Sequence, residues 1–244
     1  MNNNDLELKL LYGAPIDLEH VGTIHNPSLR DIVTMGESLY NQYLSAILFH
    51  KSHIEGLNLE EAYTSFQILF NYCYHNEDFR DITLKAIQFF FKENAHLGHD
   101  DTDVFFYFGD ISESRRINES NFDLIQDIIK KMNYIKTSKE TDYNPANSKA
   151  QQMIDLIMNN KKNKPKPKET MNLHSIISGL AWKSNSHHLF NIFDLTIYQL
   201  YQGFSTMENI DHYYHTLVGI YSGNVNGKDI NFAQLHWAKK SEND

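Results

Sequence analysis

The side chains with most scope for chemistry are imidazoles and carboxylates. The chain carries 13 histidines. His96-x-x-His99 runs into Asp100, Asp101 and Asp103, and imidazole with carboxylate oxygen is a donor set for a divalent metal. The same stretch also reads as a solvated acidic loop between two apolar runs. That is the expectation here, with a metal-dependent enzyme built on the His96–Asp103 cluster kept as an alternative. His50-x-x-His53 and His212-x-x-His215 each place two imidazoles on one side of a helix. Neither contains the glutamate of the H-E-x-x-H zinc hydrolases. His187 and His188 are adjacent, so on a helix they point apart. These histidines are expected at the surface or in an interface.

Cys73 is the only cysteine, which excludes an internal disulfide and a cysteine-based zinc cluster. It sits in Tyr72-Cys73-Tyr74 on an apolar helix face. A buried thiol is expected there, since a nucleophile would need a base and a depressed pKa. Gly223-x-x-x-Gly227-Lys228 is one residue short of a phosphate loop, and Asp229 stands where Ser or Thr should reach magnesium. No G-x-S-x-G, G-x-G-x-x-G or kinase signature occurs. No catalytic, cofactor-binding or metal-binding residue is therefore assigned, and the chain is read as a protein-binding protein and not an enzyme.

The chemistry-bearing residues sit in a chain of 244 residues, 41% of them hydrophobic, with a formal net charge of -9. That composition supports a folded core and argues against general disorder. The acidic balance argues against nucleic acid, whose binders need a cationic surface. The lysine-rich stretch described below lacks the interleaved aromatics of a single-strand binder. The opening Met1-Asn2-Asn3-Asn4-Asp5 has no basic segment followed by an apolar one, so no signal peptide is expected. The runs Phe89-Phe90-Phe91 and Val104 to Phe108 are too short to span a bilayer. A cytosolic protein is expected, in line with a reducing compartment.

The spacing predicts a mainly α, bundle-like fold with a short N-terminal strand and a C-terminal β-hairpin. Leu6, Leu8 and Leu10 alternate as in a strand, and residues 14–27 read as loop. Ser28 with Asp31 opens a helix whose apolar face runs from Leu29 to Leu48. Asn58 with Glu61 opens a second helix carrying Phe66, Leu69, Phe70 and Cys73, and Phe79, Ile82, Ala86 and Phe90 mark a third. Val104 to Phe108 fits a buried strand or a helix turn equally well. Ser120 with Asp123 starts a helix bearing Phe122, Ile125, Ile129 and Met132, and Asn144-Pro145 starts another. Residues 159–170 hold five lysines and two prolines and nothing apolar, which reads as a flexible linker. It separates an N-terminal unit, residues 1–158, from a C-terminal unit, residues 171–244. In the latter, Leu173, Ile176, Ile177 and Leu180 mark one helix. Phe193, Ile197 and Leu200 mark another, stopped by Gly203, and Ser205 with Glu208 opens a third. Asn226-Gly227 predicts a hairpin turn, and Leu235 and Trp237 a last short helix. Tyr213, Tyr214 and Tyr221 read first as core, with an interface role as the second reading.

The run Asn172-Leu173-His174-Ser175-Ile176-Ile177-Ser178-Gly179-Leu180-Ala181-Trp182-Lys183, followed by Phe190-Asn191-Ile192-Phe193-Asp194-Leu195-Thr196-Ile197-Tyr198-Gln199-Leu200-Tyr201, resembles the C-terminal part of tail assembly chaperones of long-tailed phages of Gram-positive bacteria. Tyr221-Ser222-Gly223, Asn226-Gly227-Lys228 and Leu235-His236-Trp237 add to the likeness. Asn26-Pro27-Ser28-Leu29-Arg30-Asp31-Ile32 is similar to that family's opening. Residues 54–168 show no match. The abundance of Asn, Lys, Ile and Tyr fits a low-G+C bacterium or its phage. The resemblance implies an assembly factor in the host cytoplasm that binds the tape-measure protein, and tail-tube subunits as a second partner, before the tube polymerises. It carries no catalytic residues and no cofactor. A phage regulatory or anti-defence protein that binds a host factor is the remaining alternative. Oligomeric state is not encoded in these patterns.

Overall fold

The computed structural model describes residues 2–51, 63–101, 103–110, 115–135 and 171–239. The helix opening at Asn58 and Glu61, the Asn144-Pro145 start and the 159–170 linker lie outside the described residues. The described chain is mainly helical with short antiparallel strands, as the periodicity predicts.

The strand expected at the N-terminus is a helix, α1, Asn3–Tyr12. Asn2 caps it by accepting from the Asn4 amide, and Gly13, at φ +79°, ends it with its N–H on the Leu10 carbonyl. Leu6 and Leu10 are buried one turn apart while Leu8 is exposed, so the apparent alternation was the i, i+4 repeat of a helix. The predicted loop after it holds a small hairpin, β1 (Ile16–Leu18) with β2 (Gly22–Ile24), whose paired Ile16 and Ile24 are both buried.

Ser28 and Asp31 form the expected capping box, which starts α2, Leu29–Met35. The single long helix expected from Leu29 to Leu48 is broken at Gly36 (φ +98°), and α3 follows at Glu37–Ile47. Only glycine takes that backbone without strain. Next come α4 (Ser65–His75), capped by Thr64 and Gln67, and α5 (Glu77–Phe91), capped by Asn76.

A three-stranded antiparallel sheet has the order β3 (Ala95–His99), β4 (Val104–Phe108), β5 (Arg116–Ile117). The ambiguous run Val104 to Phe108 is thus the central strand. Gly98 lies opposite Phe105, and a Cβ there would stand 2.6 Å from the Phe105 ring. Helix α6, Glu119–Met132, begins two residues before the predicted Ser120 cap, at Asn118, whose box partner is Asn121.

Phenylalanines fill the space between sheet and helices. Phe66 of α4 meets Phe106 of β4 edge-on at 5.9 Å and Phe122 of α6 at 5.2 Å; Phe70 lies 5.5 Å from Phe106, and Phe91 lies 5.0 Å from Phe108. Two buried polar side chains are paired near helix ends. Gln126 donates to the carbonyls of Ile47 and Phe49 at the end of α3, and the Tyr40 hydroxyl donates to Asn133.

In the C-terminal part, α7 is Leu173–Lys183, a 3-10 turn spans Ile192–Asp194, and α8 runs from Ile197 to Tyr221. The stop expected at Gly203 and the restart at Ser205 and Glu208 do not occur. The Thr196–Gln199 capping box starts α8, and one glycine costs only about 1 kcal/mol in a helix that is already propagating. The hairpin expected around Asn226-Gly227 is also absent. Asn226 instead accepts from the Lys228 amide and starts a 3-10 turn, Gly227–Asp229, before the short α9, Phe232–Leu235. Val225 packs against Gly219 of α8, where a Cβ would stand 2.9 Å from its methyl. Contact with the helix thus replaces cross-strand pairing, and an isolated two-stranded hairpin is marginal in water.

The two sides of the chain meet at their helix caps. Ser28 and Thr196 form an antiparallel bridge, and the Leu29 amide donates to the Leu195 carbonyl at 2.7 Å. Arg30 pairs with Asp194 at 2.7 Å, and Gln199 donates to the Leu11 carbonyl at 2.9 Å. Tyr134 stacks on Tyr201. Leu29 is fully buried among Ile176, Ile177, Leu180, Ala181, Ile192 and Leu200. Leu29→Ala should therefore cost about 2–5 kcal/mol in urea denaturation. Amide exchange should speed up first in α7 and the start of α8, with β3 to β5 the last to respond.

Candidate protein-binding surface

The structure separates the two histidines of the His96–Asp103 cluster. His96 and His99 are an odd number of residues apart on β3, so they point to opposite faces of the sheet. The His96 ring packs on Tyr107 at 5.4 Å, while His99 lines a cleft with Asp100, Asp101 and Asp103. Among the described residues no group of three His, Cys, Asp or Glu side chains could hold a metal ion. His53 lies outside the described residues. His212 and His215 are exposed on α8, and His188 is exposed beside Phe190, its ring 5.9 Å away.

Cys73 is fully buried in the main core, as expected from its helix face. Burial pushes its thiol up to about 11, against weaker opposing effects of the Thr83 hydroxyl and the Arg80 charge. Burial also raises the Tyr40 phenol, although its bond to Asn133 acts the other way. At Asp31, burial works to raise the carboxyl, but the Ser28 amide and hydroxyl, with Lys92 and Arg30 nearby, hold it below its ordinary value. These groups serve the fold: one thiol and one phenol in the core, and one helix cap.

The exposed aromatic and apolar residues carry a different message. In α8 only Leu200 is buried. One side of its distal half is covered by the segment that follows: Tyr213 packs on His236 at 5.3 Å, and Gly219 and Gly227 meet Val225 and Ile220. The other side is open. Tyr214, Val218 and Tyr221 fall at i, i+4 and i+7, one stripe of a helix, and they are 59%, 62% and 82% exposed. Asp211, one turn before Tyr214 on the same stripe, is bonded to Lys183 at the end of α7. The neighbouring Trp182 is 79% exposed, and Phe190 in the α7–α8 connection is 89% exposed. Single apolar residues scattered over a surface are ordinary, whereas these three share one stripe.

Sequence reasoning took Tyr214 and Tyr221 first as core. The distinguishing signal was the distribution of apolar residues on two opposed sides of one helix, too many for a single buried face. Which side is covered depends on where residues 222–237 fold back, and that is a tertiary fact.

Residues 161–242 match the family model described as the YomV second domain, and this likeness suggests a phage-associated protein. The matched stretch contains α7, α8 and the open stripe. No curated protein matches the chain, and no solved structure matches it. No described helix is long and apolar enough to cross a membrane.

The buried thiol gives a direct check. Folded protein should leave Cys73 unreactive toward a chromogenic disulfide reagent at mildly alkaline pH, and denaturant should release one thiol per chain. The unfolded thiol ionises near 9 and the folded one near 11. Between those values the unfolded chain loses its proton first, so stability should fall as pH rises through this window. Urea titrations across it would show the decline.

Proposed function

We propose that this protein is a phage tail assembly chaperone that works by binding and not by catalysis. Its client is the tape-measure protein, with tail-tube subunits as a second partner. The observation that supports this reading is the open Tyr214–Val218–Tyr221 stripe, in a part of the chain that also exposes Trp182 and Phe190. It lies within the stretch that matches a domain of phage association. A long amphipathic helix waiting to be enclosed in a tube has an apolar face that would otherwise aggregate. An apolar stripe on another helix can cover that face in side-by-side packing. In this reading residues 171–244 are the client-binding unit, and residues 1–158 are the base on which it is mounted.

The test is co-expression with the tape-measure protein of the same genome. Wild-type protein should keep the tape measure soluble and co-elute with it. A triple variant, Tyr214→Ser with Val218→Ser and Tyr221→Ser, should fold normally, because all three side chains are exposed. It should lose affinity by tenfold to a hundredfold, on the order expected for aromatic hot spots. An insoluble tape measure in the presence of wild-type protein, with no binding of tail-tube protein either, would overturn the reading.

A further inference from the structure

The cleft beside His99 lies on other elements than the α8 stripe and does not depend on the chaperone reading. It has a volume of about 980 Å³ and opens between α4, the β3–β4 turn and the first turn of α6. Its walls are aromatic: Tyr63 and Tyr74 are 54% and 64% exposed at its edge. Its rim is acidic, with Asp100, Asp101, Asp103 and Glu119, and among the described residues no lysine or arginine lines it.

Two of the four carboxylates are already engaged. Asp100 pairs with Arg116 at 2.9 Å and accepts from the Asp103 amide at 2.9 Å, which fixes the turn. Glu119 accepts from Gln67 at 2.9 Å. Asp101 and Asp103 are exposed and make no ion pair among the described residues. The turn already shows how a guanidinium is held here. Arg116 lies 4.0 Å over the Phe105 ring with the Asp100 carboxylate at its end. An aromatic face plus a carboxylate is a good site for a lysine or arginine side chain, through ring quadrupole and charge together. The cleft offers the same pair of features to a ligand from outside.

We propose that this cleft is a docking site for a basic segment of a partner protein, whose lysine or arginine side chains pack on the exposed Tyr63 or Tyr74 ring and meet Asp101 and Asp103. Its volume is at the upper end of the range for small-ligand pockets, which leaves room for several residues of an extended or helical segment. The protein's net charge of -9 draws the same partner from a distance.

The experiment is fluorescence anisotropy of the full chain with a labelled hexapeptide of alternating lysine and arginine, and with its all-glutamate counterpart as control. The basic peptide should bind saturably, one per chain, and weaken as ionic strength rises. The glutamate peptide should not bind. The double variant Asp101→Asn with Asp103→Asn should weaken binding on the order of tenfold. Asp5→Asn with Glu208→Gln makes the same change in net charge on helices α1 and α8, which do not line the cleft, and should leave binding within about twofold. Tyr74→Phe should bind like wild type and Tyr74→Ala several-fold more weakly, because the ring face and not the hydroxyl does the work. Absence of saturable binding overturns the proposal. So does an equal loss in both double variants, which would mean diffuse charge attraction only.

Discussion

Phe106 occupies the point at which the largest side chains converge. It is fully buried on the central strand, with Phe66 and Phe70 of α4 on one helix. Phe122 of α6 reaches the same cluster through Phe66. Rings of this size bury well only in edge-on or tilted contact at a narrow range of distances. Their placement therefore dictates how the sheet sits against α4 and α6. On the other face of the sheet, any side chain at the Gly98 position of β3 would strike Phe105. β4 packs against α4, and the acidic-aromatic cleft lies between α4, the β3–β4 turn and the start of α6.

A second dependence runs through helix caps. Ser28 and Thr196 are both N-cap residues, so each keeps an extended backbone just before its helix. Two extended segments side by side can exchange backbone bonds, and here they do, at Ser28 with Thr196 and Leu29 with Leu195. The contact brings Leu29 into the apolar cluster of α7 and α8. The start of α8 is thereby held by the rest of the protein, while its distal half extends away from the main core. A helix fixed at one end and open along one stripe is well suited to presenting that stripe to another protein.

Titratable chemistry follows the same division. The carboxyl, thiol and phenol that depart from ordinary behaviour do so through burial or capping. The histidines are dispersed over separate elements, His96 on one sheet face and His99 on the other, His212 and His215 on an exposed helix. What the fold gathers instead is exposed apolar and aromatic surface on α8 and carboxylates at the cleft. The proposed reading, recognition between proteins, rests on these two features.

Local signals with a mechanism were legible from the sequence. The Ser28–Asp31 capping box, the helical faces of α5 to α7, and the burial of Cys73 rest on side chains acting on their own turn of backbone or on a repeat of 3.6 residues. The mainly helical class followed from them. Signals that needed a distant partner were not legible. Leu6, Leu8 and Leu10 fit either period, and the choice depended on the Asn2 cap and on Leu6 and Leu10 finding the core. Gly203 could end a helix or sit inside one. Asn226-Gly227 could close a hairpin only if Val225 had no better contact than a strand partner, and Gly219 supplied one. Which stripe of α8 stays open, and that Asp101 and Asp103 line the same cleft as Tyr63 and Tyr74, are consequences of packing between segments far apart in the chain, and only the tertiary structure decides them.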